Sequence, residues 1–308
     1  MKLYFAPLEG ITSYIYRNTH AQMFGGCDGY YTPFISPSDN EKIGRKGFKD
    51  IIPENNTTVK PIVQVLTNNS LSFLKFSEKI KEYGYDEVNI NLGCPSGTVT
   101  GKKRGSGLLR EPELLESFLR EIFEKRDIKI SIKTRTGFYN SDEFEKLMKL
   151  YNKHPLELLI VHPRCREDYY KSAINYEAFE KAYHSSANRL CYNGNIFSVS
   201  DYENICEKYP RLDSVMLGRG AVKNPAIFRE IKGGKKITTE EMLEFTDVLE
   251  ERYNAILSSD KFTMHKLKEI WLFMMLNFPK EEKILKPVRR TESLSELMHA
   301  VHTLPPIY

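Results

Sequence analysis

The sequence predicts an α/β protein, a (β/α)8 TIM barrel followed by a C-terminal all-helical domain. Three observations point there. Eight short runs rich in Val, Ile, Leu, Tyr and Phe recur between residues 3 and 221. Amphipathic stretches with helical spacing lie between them. After Gly233-Gly234 no convincing strand follows. A doubly wound sheet would give the same alternation, but no Gly-rich dinucleotide fingerprint follows the first run.

The strand candidates are 3–7, 29–36, 60–67, 87–93, 129–136, 157–164, 190–196 and 214–221. Most lack clean alternation of apolar and polar residues, which suits strands covered on both faces. Among the helix candidates, 70–83 places Leu71, Leu74, Lys75 and Glu78 at helical spacing. Segment 111–125 opens with Glu-Pro, which suits a first helical turn, and repeats Leu114, Leu115, Phe118, Leu119 and Ile122. Segment 142–151 brings Phe144, Leu147, Met148 and Tyr151 to one face. Gly233-Gly234 reads as a linker or a helix stop. Thr238-Thr239-Glu240-Glu241 then resembles a helix start, with hydroxyls before acidic first-turn residues. The expected division is a catalytic barrel over 1–235 and a helical domain over 236–308.

The chain has 308 residues, 41% hydrophobic and 28% charged, which fits an ordinary globular protein and excludes disorder and coiled coil. A core of that size needs no disulfide or metal staple. No apolar run approaches the ~18 residues of a membrane span. The start Met1-Lys2-Leu3-Tyr4-Phe5-Ala6-Pro7 meets Pro and then Glu9 before a signal-peptide core could form, so a cytoplasmic location is expected. The cysteines at 27, 94, 165, 191 and 206 are odd in number and form no Cys-x-x-Cys pair. Free thiols are expected, and no metal site, since His and Cys lack ligand spacing. A formal charge of +4 leans only weakly toward anionic partners.

In such a barrel, chemistry gathers at the C-terminal ends of the strands. Loops after the seventh and eighth strands commonly hold phosphate. Here they carry Asn193-Gly194-Asn195 and Gly218-Arg219-Gly220. The glycines allow close backbone approach to an anion, and Arg219 adds a charge-assisted bond. Either loop alone could be a tight turn; the pair together favours phosphate. Alternation puts Lys133 and Arg135 on one strand face, facing an anionic or electron-rich ligand. Gln64, between Val63 and Val65, is a buried amide in need of partners. Cys94 follows Gly93 at the mouth of the fourth strand and opens a glycine-rich loop that reads as a mobile cover. Its thiol, with an unperturbed pKa of about 8.5, can serve as a proton donor at neutral pH. Lys102-Lys103-Arg104 in the same loop could face solvent or a polyanion.

These motifs, in this order, resemble the flavin-dependent tRNA-dihydrouridine synthase family. They are Ala6-Pro7-Leu8-Glu9-Gly10, Val63-Gln64-Val65, Asn89-Ile90-Asn91-Leu92-Gly93-Cys94-Pro95 and Gly105-Ser106-Gly107-Leu108-Leu109. Then follow Lys133-Thr134-Arg135, His162-Pro163-Arg164-Cys165-Arg166, Asn193-Gly194-Asn195-Ile196 and Gly218-Arg219-Gly220-Ala221. Leu8 replaces a usual Met, Pro163 a usual Gly or Ala, Ser172 a usual Gly, and Asn195 stands where Asp or Glu is common.

The resemblance implies reduction of the uridine C5–C6 double bond in tRNA, with FMN as cofactor and NADPH or NADH as reductant. It implies Cys94 as the general acid at C5. It assigns Pro7, Leu8, Glu9, Gln64, Lys133, His162, Asn193, Gly194, Asn195, Gly218 and Arg219 to the flavin. Asn91, Arg164 and Tyr170 would hold the uracil, and Lys102, Lys103 and Arg104 the tRNA. The basic residues Lys280, Lys283, Lys286, Arg289 and Arg290 could also meet tRNA, although 237–308 carries more acidic than basic side chains. A monomer without membrane attachment is expected. Two other readings stay open: a flavin barrel acting on a free pyrimidine, in the manner of a dihydroorotate dehydrogenase, and a non-enzymatic RNA-binding protein.

Overall fold

The computed structural model describes residues 1–37, 45–278 and 282–307. Eight parallel strands run in the order β2-β1-β8-β7-β6-β5-β4-β3. They are β1 Lys2–Phe5, β2 Gly29–Tyr30, β3 Val63–Val65, β4 Glu87–Leu92, β5 Lys129–Arg135, β6 Leu159–His162, β7 Leu190–Tyr192 and β8 Ser214–Leu217. The parallel bridges Tyr31–Ile62 and Ile35–Val65 join the chain after β2 to β3 and close the ring. The fold is therefore the expected barrel. Every strand is shorter at its C-terminal end than the sequence suggests. The apolar runs at 29–36 and 190–196 continue into loops, because the backbone there turns to build the mouth.

The barrel interior has two characters. Ala6, Tyr31, Leu158, Ile160, Cys191 and Met216 form a small apolar cluster, with Tyr4 and Ile62 packed against it. On the β3–β5 side the interior is hydrogen-bonded instead: Gln64 meets Asn89 at 2.7 Å and Asn89 meets Ser131 at 2.9 Å. Strands β4 and β5 thus do alternate, with Asn89, Asn91, Ser131, Lys133 and Arg135 turned inward. Thr134 points the opposite way, its hydroxyl 3.0 Å from Tyr151 on the covering helix.

Helices wrap the outside. In Pro112–Lys125 the side chains of Leu115, Phe118, Leu119 and Ile122 are buried, as their spacing predicts, while Leu114 stays exposed. Helix Ser70–Glu82 corrects the sequence reading. It buries Phe73, Phe76, Ser77 and Ile80 and leaves Leu71 at the surface. Two phenylalanines bury more apolar area than two leucines, so they choose the face.

Gly233 sits at φ +82° and ends helix Ile227–Ile231, with Gly234 N–H donating to Arg229 O at 2.9 Å. It is a helix stop rather than a loose linker. Four helices follow: Thr239–Asn254, Asp260–Met274, Glu282–Arg290 and Leu294–His302. Thr238 caps the first through a reciprocal bond pair with Glu241. Phe245 of that helix packs on Tyr16 of barrel helix Tyr14–Met23 and on Phe24 just after it, at ring distances of 5.4 and 5.2 Å. One apolar core runs without a break from the barrel shell into these helices. Among the described residues, no helix is long and apolar enough to cross a membrane.

Candidate active site

A cleft opens at the C-terminal mouth of the barrel. Ala6, Pro7 and Leu8 after β1, Lys133 in β5, His162 at the end of β6, Tyr170, Asn193, Gly194, Gly218 and Arg219 line it. Eight of the eleven residues assigned to the cofactor from sequence are therefore together. Of the other three, Asn195 reaches the cleft through Arg219, Gln64 lies beneath it, and Glu9 lines a neighbouring groove with Tyr14 and Tyr253.

The electrostatics are one-sided. Lys133 and Arg219 line the cleft, and Arg135 and Arg164 act with them on His162 in its wall; none of the four is ion-paired to a carboxylate among the described residues, although Asp168 supports the charge of Arg164. Burial, with Arg135 beside it, pushes the Lys133 ammonium down to about 8. His162 is held well below its ordinary 6.5, first by burial and then by Arg135, Lys133, Arg164 and Arg219. It is therefore neutral, and its Nε2 accepts from Arg164 at 3.2 Å. Arg164 and Arg219 both donate to Asn195 Oδ1, at 3.2 and 2.9 Å. An amide satisfies their geometry and cancels none of their charge. Clustered cations of this kind, two of them buried, favour an anionic ligand. This set of donors suits a phosphate beside an electron-rich ring.

The glycines divide by role. A Cβ on Gly220 would stand 1.9 Å from Ile196 O, so that glycine lets the loops after β7 and β8 pack together. Gly218 meets only Ala6 Cβ, at 3.4 Å, and faces the cleft with its backbone.

Cys94 is half-buried just beyond the end of β4, the strand beside that of Lys133. Burial raises its thiol above the ordinary 9.0, against the pull of a backbone bond from Ser96 and of Arg135 and Lys133. It is a protonated thiol at neutral pH. Asn91 holds the turn that carries it: Asn91 Oδ1 accepts from the N–H groups of Gly93 at 3.0 Å and Cys94 at 2.9 Å. The loop beyond is built rather than loose. Helix Gly97–Thr100 leads to a 3-10 turn, Gly105–Arg110, whose Gly105 to Leu109 are buried. Its glycines serve close packing: a Cβ on Gly107 would meet Thr100 O at 2.6 Å.

The family model for dihydrouridine synthase matches residues 4–300. The chain belongs to the dihydrouridine synthase family. It is 24% identical to the tRNA-dihydrouridine(16) synthase of Pseudomonas putida, over 96% of this chain and 95% of that one. It is 25% identical to the tRNA-dihydrouridine(16) synthase of Neisseria meningitidis serogroup A, over 96% and 92%. A probable tRNA-dihydrouridine synthase of Staphylococcus aureus is 22% identical over 94% and 89%. Among solved structures, morphinone reductase superposes with a TM-score of 0.53 at 10% identity, over 76% of this chain and 86% of that one. The old yellow enzyme of Trypanosoma cruzi gives 0.52 at 9%, over 75% and 88%. These two likenesses concern the fold.

In this dihydrouridine synthase family member, Arg135, which the sequence placed beside Lys133 facing a ligand, has a structural duty that the sequence did not reveal. It is 1% exposed and ties the loops after β4 and β6 together at the mouth, donating to Gly93 O, Cys165 O and Tyr169 O at 2.9 Å each. Its stack on the Tyr170 ring, 5.3 Å away, and that of Arg219, 4.4 Å away, hold Tyr170 over the cleft. The polar alternation of β4 and β5 was the available signal for Arg135, Asn89 and Ser131. Of the basic loop, Lys103 pairs with Glu111 at 3.2 Å and Arg104 leans on Asn68, while Lys102 is exposed. Lys286, Arg289 and Arg290 are exposed on the C-terminal helices. Lys280 and the side chain of Lys283 lie outside the described residues.

Proposed function

We propose that the protein is a flavin-dependent tRNA-dihydrouridine synthase that reduces the C5–C6 bond of a uridine in tRNA, with FMN as the flavin and NADPH or NADH as reductant. The observation that carries this reading is the cleft itself: Lys133 and Arg219 line it with Arg135 and Arg164 in electrostatic reach, none of them ion-paired to a carboxylate among the described residues, and a protonated thiol stands at the end of the neighbouring strand β4. The supporting context is the family match over 4–300 and the tRNA-dihydrouridine synthases among its relatives. When bound, the flavin supplies the hydride. The chain supplies the rest. Residues 1–235 hold the flavin and 236–308 meet the tRNA.

Arg219, Arg164 and Asn195, with the Gly218 backbone, would hold the phosphate end. The Pro7 and Leu8 main chain would back the ring, and Lys133 would sit beside the part that gains charge. Neutral His162 contributes no charge of its own. Asn91, Arg164 and Tyr170 border the space for the uracil, and Cys94 gives its thiol proton to C5. The stacked Tyr170 ring limits water over the reacting atoms.

The test is to map dihydrouridine in tRNA from cells with and without the protein. Loss of one position is expected, and position 16 is the one to examine first. An unchanged map, with free orotate or uracil oxidising the reduced enzyme faster than unmodified tRNA, would replace tRNA by a free pyrimidine as substrate.

Two further outcomes arise from the site. Arg219→Ala should lower retained flavin after dialysis by about tenfold or more, since a charge-assisted bond to a buried phosphate is worth about 1.5–3 kcal/mol. Unchanged flavin absorbance would move the phosphate elsewhere. Neutralising Lys102, Lys103 and Arg104 together should raise the Michaelis constant for tRNA several-fold and flatten its salt dependence by up to about two to three units of log–log slope. The exposed position of Lys102 makes it the largest contributor.

A further inference from the structure

We propose that Glu87, at the N-terminal end of β4, is a positioning residue for Cys94, acting through a one-directional chain of hydrogen bonds inside the barrel. The proposal rests on the reading of Cys94 as proton donor. Glu87 does not line the cleft. It stands four residues below Asn91 on the same strand face, about 13 Å at the usual strand rise.

The chain can be followed bond by bond. Ser131 Oγ donates to Glu87 Oε1 at 2.5 Å. Asn89 Nδ2 donates to Ser131 Oγ at 2.9 Å. Gln64 Nε2 donates to Asn89 Oδ1 at 2.7 Å. Asn91 Nδ2 donates to Gln64 Oε1 at 2.8 Å. Asn91 Oδ1 then accepts from the N–H groups of Gly93 and Cys94.

Both ends dictate the same direction. A carboxylate only accepts, so the single Ser131 proton is committed to Glu87 and the Ser131 lone pairs must accept from Asn89. That turns the Asn89 carbonyl toward Gln64, and the Gln64 carbonyl toward Asn91. At the other end, two backbone N–H groups demand a carbonyl oxygen from Asn91. No amide in the series can flip without breaking a bond on each side. Gln64, Asn89 and Ser131 are fully buried, so water offers no substitute partner. The register serves the same end, pairing Gln64 with Asn89 and Asn89 with Ser131 on adjacent strands.

Without an acceptor at position 87, Ser131 is free to turn its proton toward Asn89. The amides then lose their common direction, and Asn91 loses the lock that points its oxygen at the Cys94 turn. A small misplacement of a proton donor is costly, because proton transfer requires close heavy-atom approach.

The experiment uses the full-length, flavin-loaded protein with Glu87→Leu, Ser131→Ala and Glu87→Gln. Two readouts are taken: steady-state kinetics on tRNA lacking dihydrouridine, and the rate of Cys94 alkylation by iodoacetamide without tRNA. Glu87→Leu and Ser131→Ala should lower kcat by about tenfold, with KM within about twofold, and change the alkylation rate by about threefold or more. Glu87→Gln keeps an oxygen at the same place and should rescue both readouts. Ser131→Ala with kcat and alkylation within about twofold of the parent would overturn the proposal. So would Glu87→Gln as impaired as Glu87→Leu. If Glu87→Leu does not fold, Ser131→Ala, which deletes one hydroxyl, decides together with Glu87→Gln. Normal turnover by Cys94→Ala would instead defeat the proton-donor reading, and the alkylation arm would still judge the relay.

Discussion

Cys94→Ala is expected to keep its flavin and to lose about 10²- to 10⁴-fold in uridine reduction, the usual worth of a positioned general acid. The thiol is half-buried, and burial holds it above its ordinary pKa of 9.0, so it carries a proton throughout the neutral range. The direction of its pH dependence follows. A proton donor is competent below its pKa and lost above it, so alkylation of Cys94 should stay slow through pH 8 and accelerate only above pH 9. The variant leaves the cationic cleft untouched, so flavin absorbance and tRNA affinity should match the parent. Rapid mixing of reduced protein with unmodified tRNA measures the loss. Turnover within about tenfold of the parent would assign the proton to another group. Cys94→Ser should fall between the two, since a hydroxyl occupies the place of the thiol and releases its proton far less readily.

The barrel was legible in the sequence because its signal is global: eight apolar runs spaced by amphipathic helices admit few architectures. Thr238 was legible as a cap because capping is local chemistry, and Glu241 answers it. The face of helix Ser70–Glu82 was not. Leu71 and Phe73 both sit at plausible spacing, and only the ring of Phe118, 6.1 Å from Phe73, shows which side meets the core. That Pro7, Lys133, His162, Asn193, Gly218 and Arg219 would meet at one mouth was legible from their positions at the ends of strands, which spacing supplies. The groups beneath them were missed. Asn89 and Ser131 look unremarkable in sequence because an inward polar residue and a solvated one are written alike. Arg135 was legible as a residue facing the mouth but not as the tie between two loops, because its carbonyl partners lie in segments after β4 and β6, far apart in the chain. Gly220 teaches the converse. Its place after β8 suggested anion binding, while its conformation answers to Ile196.

Lys133→Met is expected to raise the stability of the flavin-free protein and to lower its activity by about 10²-fold or more. Lys133 Nζ has no ion pair among the described residues, and burial with Arg135 nearby brings its pKa from 10.5 to about 8. The folded chain therefore carries a penalty for this charge at neutral pH. Below about pH 8 both folded and unfolded chains hold the proton and the penalty is full; between about 8 and 10.5 the unfolded chain binds it more tightly, so stability rises with pH across that window. Methionine keeps the length of the side chain without its charge. It should abolish that pH-dependent rise and lift Tm at pH 7 by about 1.5 °C for each kcal/mol regained. With flavin bound the sign reverses. A ring that gains negative charge on reduction is held by the ammonium, so the variant should shift the flavin midpoint potential downward and weaken flavin retention. A Tm at pH 7 equal to or below the parent's, with an unchanged potential, would place Lys133 outside the flavin's reach. Arg135 cannot take over, because its guanidinium is spent on Gly93, Cys165 and Tyr169. The strand thus keeps two cations with separate duties. One fastens the loops of the mouth, and the other stays unpaired at a cost to the empty fold until an anion arrives.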